Sequence, residues 1–272
     1  MLTRHDLYDL CVQSPADLVP LLRAVHGGEP RVLVEHFAAS ARISRRWVET
    51  DHAGKAVAID LDAEVLSLTE GVDRVRTVHA DVLDAAALAG VRGDIVHAGN
   101  FSIGYHHDRP ALVRYLGLVR EQLEPGGVFV CDTYGGESAF HIGSMERDCP
   151  IPAGFVPSHG PPSDLPAGAF VRYTWEQREA DPLTGRVLDV LHFRVFDGHE
   201  VVHEVTDAFV YDWRLWSPPE LRDAMLEVGF ASVECYNELP DAVDDDGRAY
   251  ATPVDGEDLN ESFIVCLAAR TS

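Results

Sequence analysis

Apolar runs alternate with helix-period segments over the first half of the chain. Arg31-Val32-Leu33-Val34-Glu35-His36 opens the series, and Ala56-Val57-Ala58-Ile59-Asp60 and Arg74-Val75-Arg76-Thr77-Val78-His79 follow. The pattern predicts strands at 31–36, 55–60, 74–79, 93–100 and 127–134. Between them it predicts helices at about 40–50, 62–70, 84–89 and 109–123. Pro125-Gly126-Gly127 reads as a tight turn into the last of these strands. Strands alternating with helices imply right-handed crossovers and a parallel sheet. Ahead of the series, residues 5–26 read as a helical pair broken at Ser14-Pro15, with Ser14 and Asp17 as cap and first-turn acid.

The pattern changes after Tyr134-Gly135-Gly136. Residues 145–168 are rich in Pro and Gly and predict a long loop, a common form for a lid. Phe170–Arg178, Val187–Phe196 and Glu200–Tyr211 have strand character, and the turns Asp181-Pro182-Leu183-Thr184-Gly185 and Asp197-Gly198-His199 make them an antiparallel meander. A helix at 218–228, stopped by Gly229, and strands at 231–236 and 262–269 finish the chain. The expected fold is therefore α/β, a Rossmann-like, doubly wound, mostly parallel sheet with an antiparallel strand insertion. Its parts are an N-terminal helical segment (1–30), a core (31–134 with 217–272), and a lid loop with a substrate-covering insertion (135–216). Asp244-Asp245-Asp246-Gly247 lacks the later ligands of a calcium loop and reads as a solvated turn.

Composition narrows the function. The 272 residues carry 22 basic and 45 acidic side chains, a formal charge of −23. That field repels phosphate backbones and anionic lipid, so neither nucleic acid nor membrane is an expected partner. The five cysteines are scattered, with no metal-ligand spacing, which suits a reduced cytoplasmic protein. No apolar targeting segment is read at the N-terminus, and no run reaches the length of a membrane span.

The chemistry sits at the strand ends. Glu35, Asp60 and Asp81 each close one of the first three strands. Carboxylates along the carboxyl edge of a parallel sheet suit a ribose and a purine. The first turn, Glu35-His36-Phe37-Ala38-Ala39-Ser40-Ala41, lacks the glycines such a turn carries, which excludes a dinucleotide fingerprint and disfavours a nicotinamide-dependent reductase.

At these residues the chain resembles the class I S-adenosylmethionine-dependent methyltransferases, over roughly 31–134 and again in the final strands. It is similar to a bacterial, uncharacterised branch with a Glu-Asp-Phe-Cys-Gly-Thr-Ala turn. The counterparts of that branch's further motifs are Asn100-Phe101-Ser102 and Tyr211-Asp212-Trp213-Arg214-Leu215-Trp216. The opening helix around Tyr8-Asp9-Leu10-Cys11 is similar too. The resemblance implies S-adenosylmethionine as cofactor, S-adenosylhomocysteine as product, and a small-molecule acceptor methylated on nitrogen, oxygen or carbon. It implies that Asp60 takes the ribose hydroxyls, Leu61 an adenine face, Asp81 the adenine amine and the Val82 N–H a ring nitrogen. Glu35 would face the methionine ammonium, and Asn100, Phe101 and Ser102 the methionine moiety and the acceptor. Phe37, Ala39 and Ala41 fall on the three glycine positions of the turn. At Ala39 a positive φ costs about 1 kcal/mol.

Methyl transfer rests on positioning and water exclusion, with a base only where the acceptor loses a proton. Tyr105, His106 and Tyr134 are the candidate catalytic residues; either His106 or His107 is a general base near neutral pH, or both are exposed loop or helix-capping histidines. Trp175, Trp213 and Trp216 either face the substrate or form the apolar face of the meander. Arg214 either pairs with Glu220 or Asp212 or clamps an acidic substrate. No metal is expected. The chain is also compatible with a homodimer, and with an alternative function as a non-catalytic or attenuated small-molecule-binding protein that keeps the same fold.

Overall fold

The computed structural model describes residues 2–12, 14–152, 155, 157, 168–244 and 248–272. Most of the Pro/Gly-rich loop and the centre of the acidic loop, Asp245-Asp246-Gly247, lie outside the described residues.

Two helices open the chain. α1 (Arg4–Cys11) starts in a reciprocal cap: Asp6 N donates to Thr3 Oγ1 at 3.2 Å, and Thr3 N donates to Asp6 Oδ2 at 2.8 Å. α2 (Pro15–His26) has proline in its first turn and ends on Gly27 at φ 76°. Then come β1 (Val32–His36), α3 (Arg42–Thr50), β2 (Lys55–Asp60), the single turn α4 (Ala63–Leu66), β3 (Val75–His79), β4 (Gly93–Ala98), α5 (Arg109–Glu121) and β5 (Leu123–Gly136). Four long strands follow: β6 (Gly143–Pro150), β7 (Phe170–Asp181), β8 (Arg186–Asp197) and β9 (Glu200–Arg214). α6 (Pro218–Glu227), β10 (Ser232–Asn237), the small hairpin β11 (Ala242–Val243) and β12 (Ala249–Tyr250), and β13 (Ser262–Arg270) close the chain.

These elements form two compact units, Ser14–Ala139 with Leu215–Ser272, and Met1–Gln13 with Phe140–Arg214. The larger unit holds a seven-stranded sheet in the order β10-β13-β5-β4-β1-β2-β3. β1 to β5 are parallel, and β13 runs antiparallel to both neighbours. The order reverses between β1 and β4, the switch point at which open sheets of this kind bind ligands. One face buries Val34, Val96 and Phe129 under Leu112, Tyr115 and Leu116 of α5 and Leu221 and Met225 of α6. The other face buries Leu33, Ile95, Val128 and Val130 under Val19 and Leu22 of α2 and Ile43 and Trp47 of α3. Helices on both faces explain why these strands read as continuous apolar runs.

The smaller unit is a four-stranded antiparallel sheet, β6-β7-β8-β9, with α1 packed on it through Leu7 and Cys11 against Val171, Leu191 and Phe193. Three expectations change here and in the larger unit. Residues 143–150 are a strand rather than loop, because eight successive residues pair with β7 despite their polar composition. Residues 84–89 are turns rather than a helix: Asp84 Oδ1 takes the N–H groups of Ala86 and Ala87 at 3.0 Å each, and Gly90 (φ 78°) ends the segment. The expected turn at Pro125-Gly126-Gly127 lies inside β5, as a register shift opposite Gly93 and Ile95.

Candidate functional site at the carboxyl edge of the parallel sheet

The turn between β1 and α3 holds Phe37, Ala39 and Ala41 at φ 53°, 45° and 52°. All three residues at the glycine positions thus sit in the left-handed region, where a Cβ costs roughly 1–2 kcal/mol. Neighbouring bonds over-determine the turn. Ala38 N donates to Ile59 O at 3.0 Å, Ala41 N to Ala38 O at 2.7 Å, and Ala39 N to Asp60 Oδ2 at 2.7 Å. Ala38 and Ala41 are fully buried against Ala58 and Leu66, so small side chains are required.

Asp60 is not a helix cap. Asp62 performs that task, accepting from Glu64 N at 3.0 Å and Val65 N at 3.2 Å. Asp60 instead ties two loops together, with Oδ2 on Ala39 N and Oδ1 on Asp62 N at 2.8 Å. Each oxygen keeps a second lone pair. Leu61, next in sequence, exposes 65% of its surface. Asp81 is exposed beyond β3 and accepts from Leu83 N at 2.8 Å, while Val82 is buried.

Glu35 is buried and turned to α3. Its Oε2 takes Ser44 N at 2.8 Å and Ser44 Oγ at 2.5 Å. The N-cap of α3 is Ala41, which has no side-chain acceptor, so Glu35 satisfies the first-turn N–H from the strand instead. Burial pushes its carboxyl up to about 7, against the lowering effect of the Ser44 bonds.

The loop after β4 repeats the left-handed motif. Asn100 and Phe101 have φ 54° and 60°, and their N–H groups both donate at 2.7 Å to Asp132 of β5. Ser102 Oγ donates to Gly99 O at 2.7 Å. Burial pushes the Asp132 carboxyl up to about 6, while the Phe101 and Asn100 N–H groups pull it down. Asp132 carries no motif: a single acid between Cys131 and Thr133 in an apolar strand was its sole signal.

Aromatic side chains join the two halves of the edge. Phe37 stacks on Tyr105 at 5.7 Å and meets His106 edge-on at 6.3 Å; Phe101 and Tyr134 contact edge-on at 5.0 Å. Tyr105 is 45% exposed and Tyr134 buried. His106 is 4% exposed, not a surface histidine, and its ring stacks on Tyr115 at 4.3 Å. Its backbone carbonyl accepts from Trp216 Nε1 at 2.9 Å, and Trp216 O accepts from Thr133 Oγ1 at 2.7 Å. His106 Nε2 is buried without a hydrogen-bond partner. Burial lowers its pKa to about 4, against the raising effect of Asp81, so the ring is neutral at pH 7. His36, behind it, is fixed between Tyr115 Oη at 2.9 Å and Gln122 Oε1 at 3.0 Å.

Trp175 and Trp213 belong to the smaller unit, where Trp213 is buried and stacks on Tyr211 at 4.3 Å. Arg214 ends β9 in the same unit; Glu220, in the larger unit, caps α6 by accepting from Ser217 N at 3.0 Å and Ser217 Oγ at 2.8 Å. Among the described residues no His/Cys/Asp/Glu group could hold a metal ion, and no helix is long and apolar enough to cross a membrane.

Solved structures place this architecture. Streptomyces venezuelae DesVI superposes with a TM-score of 0.68 at 16% identity, over 100% of both chains. CalS10, an S-adenosylmethionine-bound amino pentose methyltransferase of calicheamicin biosynthesis from Micromonospora echinaspora, gives 0.64 at 14%, over 98% of this chain and 96% of that one. An S-adenosylmethionine-dependent methyltransferase from Clostridium acetobutylicum gives 0.63 at 14%, over 98% and 97%. The chain has the fold of the class I S-adenosylmethionine-dependent methyltransferases. No protein-family model and no curated protein sequence matches it.

Proposed function

We propose that this protein transfers a methyl group from S-adenosylmethionine to a small molecule, through the residues at the carboxyl edge of β1–β5. The observation that carries the reading is the first turn. Three alternate residues hold the backbone shape that glycine gives such a turn, and the turn closes on the Asp60 carboxylate. The donor set fits the group. Asp60 has lone pairs for two hydroxyls, Leu61 presents an exposed apolar surface to a purine, and Asp81 is an exposed acceptor for an amine. The Val82 N–H serves a ring nitrogen. The turn at Phe37 and Ala39 lets backbone approach the ligand, Glu35 braces α3 behind it through Ser44 and faces the methionine ammonium when ionised, and Asn100, Phe101 and Ser102 flank the methionine end. When bound, S-adenosylmethionine supplies an electrophilic methyl on a sulfonium, displaced in line by the acceptor.

Tyr105, His106 and Tyr134 act on the acceptor side. His106 is neutral at pH 7, so its unpartnered Nε2 orients an acceptor by hydrogen bonding and takes a proton only from an acidic one. The charge of −23 supports an acceptor other than nucleic acid and disfavours an anionic membrane surface, and a cytoplasmic homodimer is consistent with this reading. Structural neighbours acting on sugars and glycopeptides support a small-molecule acceptor.

Ala39 favours a second reading, an attenuated or non-catalytic binding protein, because an alanine with positive φ (45°) occupies the middle glycine position of the turn. Calorimetric titration with S-adenosylmethionine and S-adenosylhomocysteine separates them. Micromolar binding of both supports the methyltransferase; absence of heat at millimolar ligand, in folded protein, defeats it and leaves the binding-protein reading.

A further inference from the structure

Cys11 and Cys149 are the two cysteines of the smaller unit, and they pack into one apolar cluster although 137 residues lie between them along the chain. Cys11 ends α1 and is 4% exposed; Cys149 is the penultimate residue of β6 and half-buried. Both lie in one apolar cluster with Val171 and Tyr173 of β7. Arg147, two residues before Cys149, reaches back to α1: its Nη2 donates to the Cys11 carbonyl, and its guanidinium lies 5.6 Å from the Tyr173 ring centroid. The side chain therefore bolts the end of α1 to β6 and leaves a positive charge beside both sulfurs.

We propose that Cys11 and Cys149 form a thiol–disulfide exchange site, with Cys149 as the attacking thiol and Cys11 as the resolving one. The chemistry needs a low-molecular-weight disulfide as oxidant. The Cys149 thiolate attacks one sulfur of the reagent, breaks its S–S bond and releases one thiolate, which takes up a proton. Cys11 then loses its proton and attacks the Cys149 sulfur, and the second reagent thiol leaves. Two protein thiols become one disulfide, and one reagent disulfide becomes two thiols.

The surroundings divide the roles. The Cys11 thiol hydrogen-bonds toward Cys149, which lowers the Cys149 pKa to about 6 with help from Arg147 and against burial and Asp148. The same contact and burial push Cys11 well up, so the buried sulfur keeps its proton until the neighbour is modified. Tyr173, on the facing strand, has its phenol pushed well up chiefly by burial and adds no charge near pH 7. Cys131 and Cys266 in the larger unit are fully buried and raised, and Cys235 is raised by burial. Low pKa, partial exposure and an adjacent partner mark a reactive thiol.

The site rests on the smaller unit alone and stands or falls separately from methyl transfer. The test treats the intact folded protein with 2-hydroxyethyl disulfide, quenches with acid and an alkylating agent, and maps peptides by mass spectrometry. A Cys11–Cys149 linkage appearing before any change at Cys131, Cys235 or Cys266 is the expected result. In Cys11→Ser the reaction stops at the mixed disulfide on Cys149. A Cys149 adduct that persists equally in wild type and Cys11→Ser overturns the proposal. A second readout needs no variant: alkylation of Cys149 in wild type reaches half its maximal rate below pH 7. A midpoint near the ordinary thiol value of about 8.5 overturns the assignment of Cys149 as the attacking thiol.

Discussion

The turn after β1 and the loop after β4 solve one problem in two ways. Each holds non-glycine residues in the left-handed region, and each pins them with a carboxylate from a neighbouring strand. Asp132 gives both oxygens to consecutive N–H groups of one loop, Asn100 and Phe101, so its position is committed to that loop. Asp60 gives one oxygen to each of two loops, at Ala39 and Asp62, and stays at the edge. A carboxylate that clamps one loop is thereby distinguished from one that bridges two. Under the proposed function, the comparison predicts that Asp132 matters for stability and Asp60 for binding.

The sharpest way to break it is Asp132→Ala. Two part-buried N–H groups lose charged acceptors, and stability should fall by about 3 kcal/mol, read as a lower urea midpoint at unchanged slope. A loss equal to that of Asp60→Ala would erase the distinction. Asp60→Ala should weaken S-adenosylmethionine binding about 100-fold, close to 2.7 kcal/mol, while costing only about 1 kcal/mol of stability. Calorimetry and denaturation on the same preparation check both halves.

A smaller effect comes through pH. Glu35 has its pKa raised from 4.5 to about 7, so the folded state binds the extra proton. Its favourable contribution is complete below pH 4.5 and lost as pH rises through 7. Glu35→Gln keeps an acceptor for Ser44 N without the charge. It should be more stable than wild type by about 2 kcal/mol at pH 8, with the gap closing by pH 5. His36, His97 and His106 act in the opposite sense: burial lowers each from 6.5 to about 4, so unfolding takes up protons there and stability falls as pH drops below 6.5. Removing Glu35 exposes that histidine slope, and thermal melts of the variant should decline more steeply between pH 6.5 and 4. Smallest is Ala39→Gly, which relieves a left-handed alanine and should raise the melting temperature by the equivalent of about 1 kcal/mol. Tighter cofactor binding in the same variant would support the attenuated reading; unchanged binding would place the methyl away from the ligand.

The parallel strands were legible because burial on both faces leaves long apolar runs, and the strand-end acids were legible because each follows such a run. Placing Phe37, Ala39 and Ala41 on the glycine positions agrees with their three positive φ angles. Asp132 was not legible: within an apolar strand one acid has no periodicity, and its value lies in a loop 31 and 32 residues away. Glu35 as a helix cap was hidden because the residue at the cap position, Ala41, has no acceptor and the replacement comes from an earlier strand. β6 was hidden because Gly143, Pro150 and a polar middle look like loop, and only its cross-strand partners make it a strand. His106 sat in a polar-looking sequence, yet the fold buries it against Tyr115.

Those same partners of β6 do a further task. Asp148 stands directly across from Arg172, and Arg172 across from Arg194, which also reaches Glu146 at 2.8 Å. Arg172 holds Asp148 through two bonds, at 2.7 and 2.8 Å. Sliding β6 by one residue would set Val171 or Tyr173 against the acid and turn every side chain to the opposite face. The charge ladder thus works as a vernier that admits a single alignment of an outer strand, and Pro150 at the strand's end, lacking an N–H, blunts the recruitment of a foreign strand that leads to aggregation.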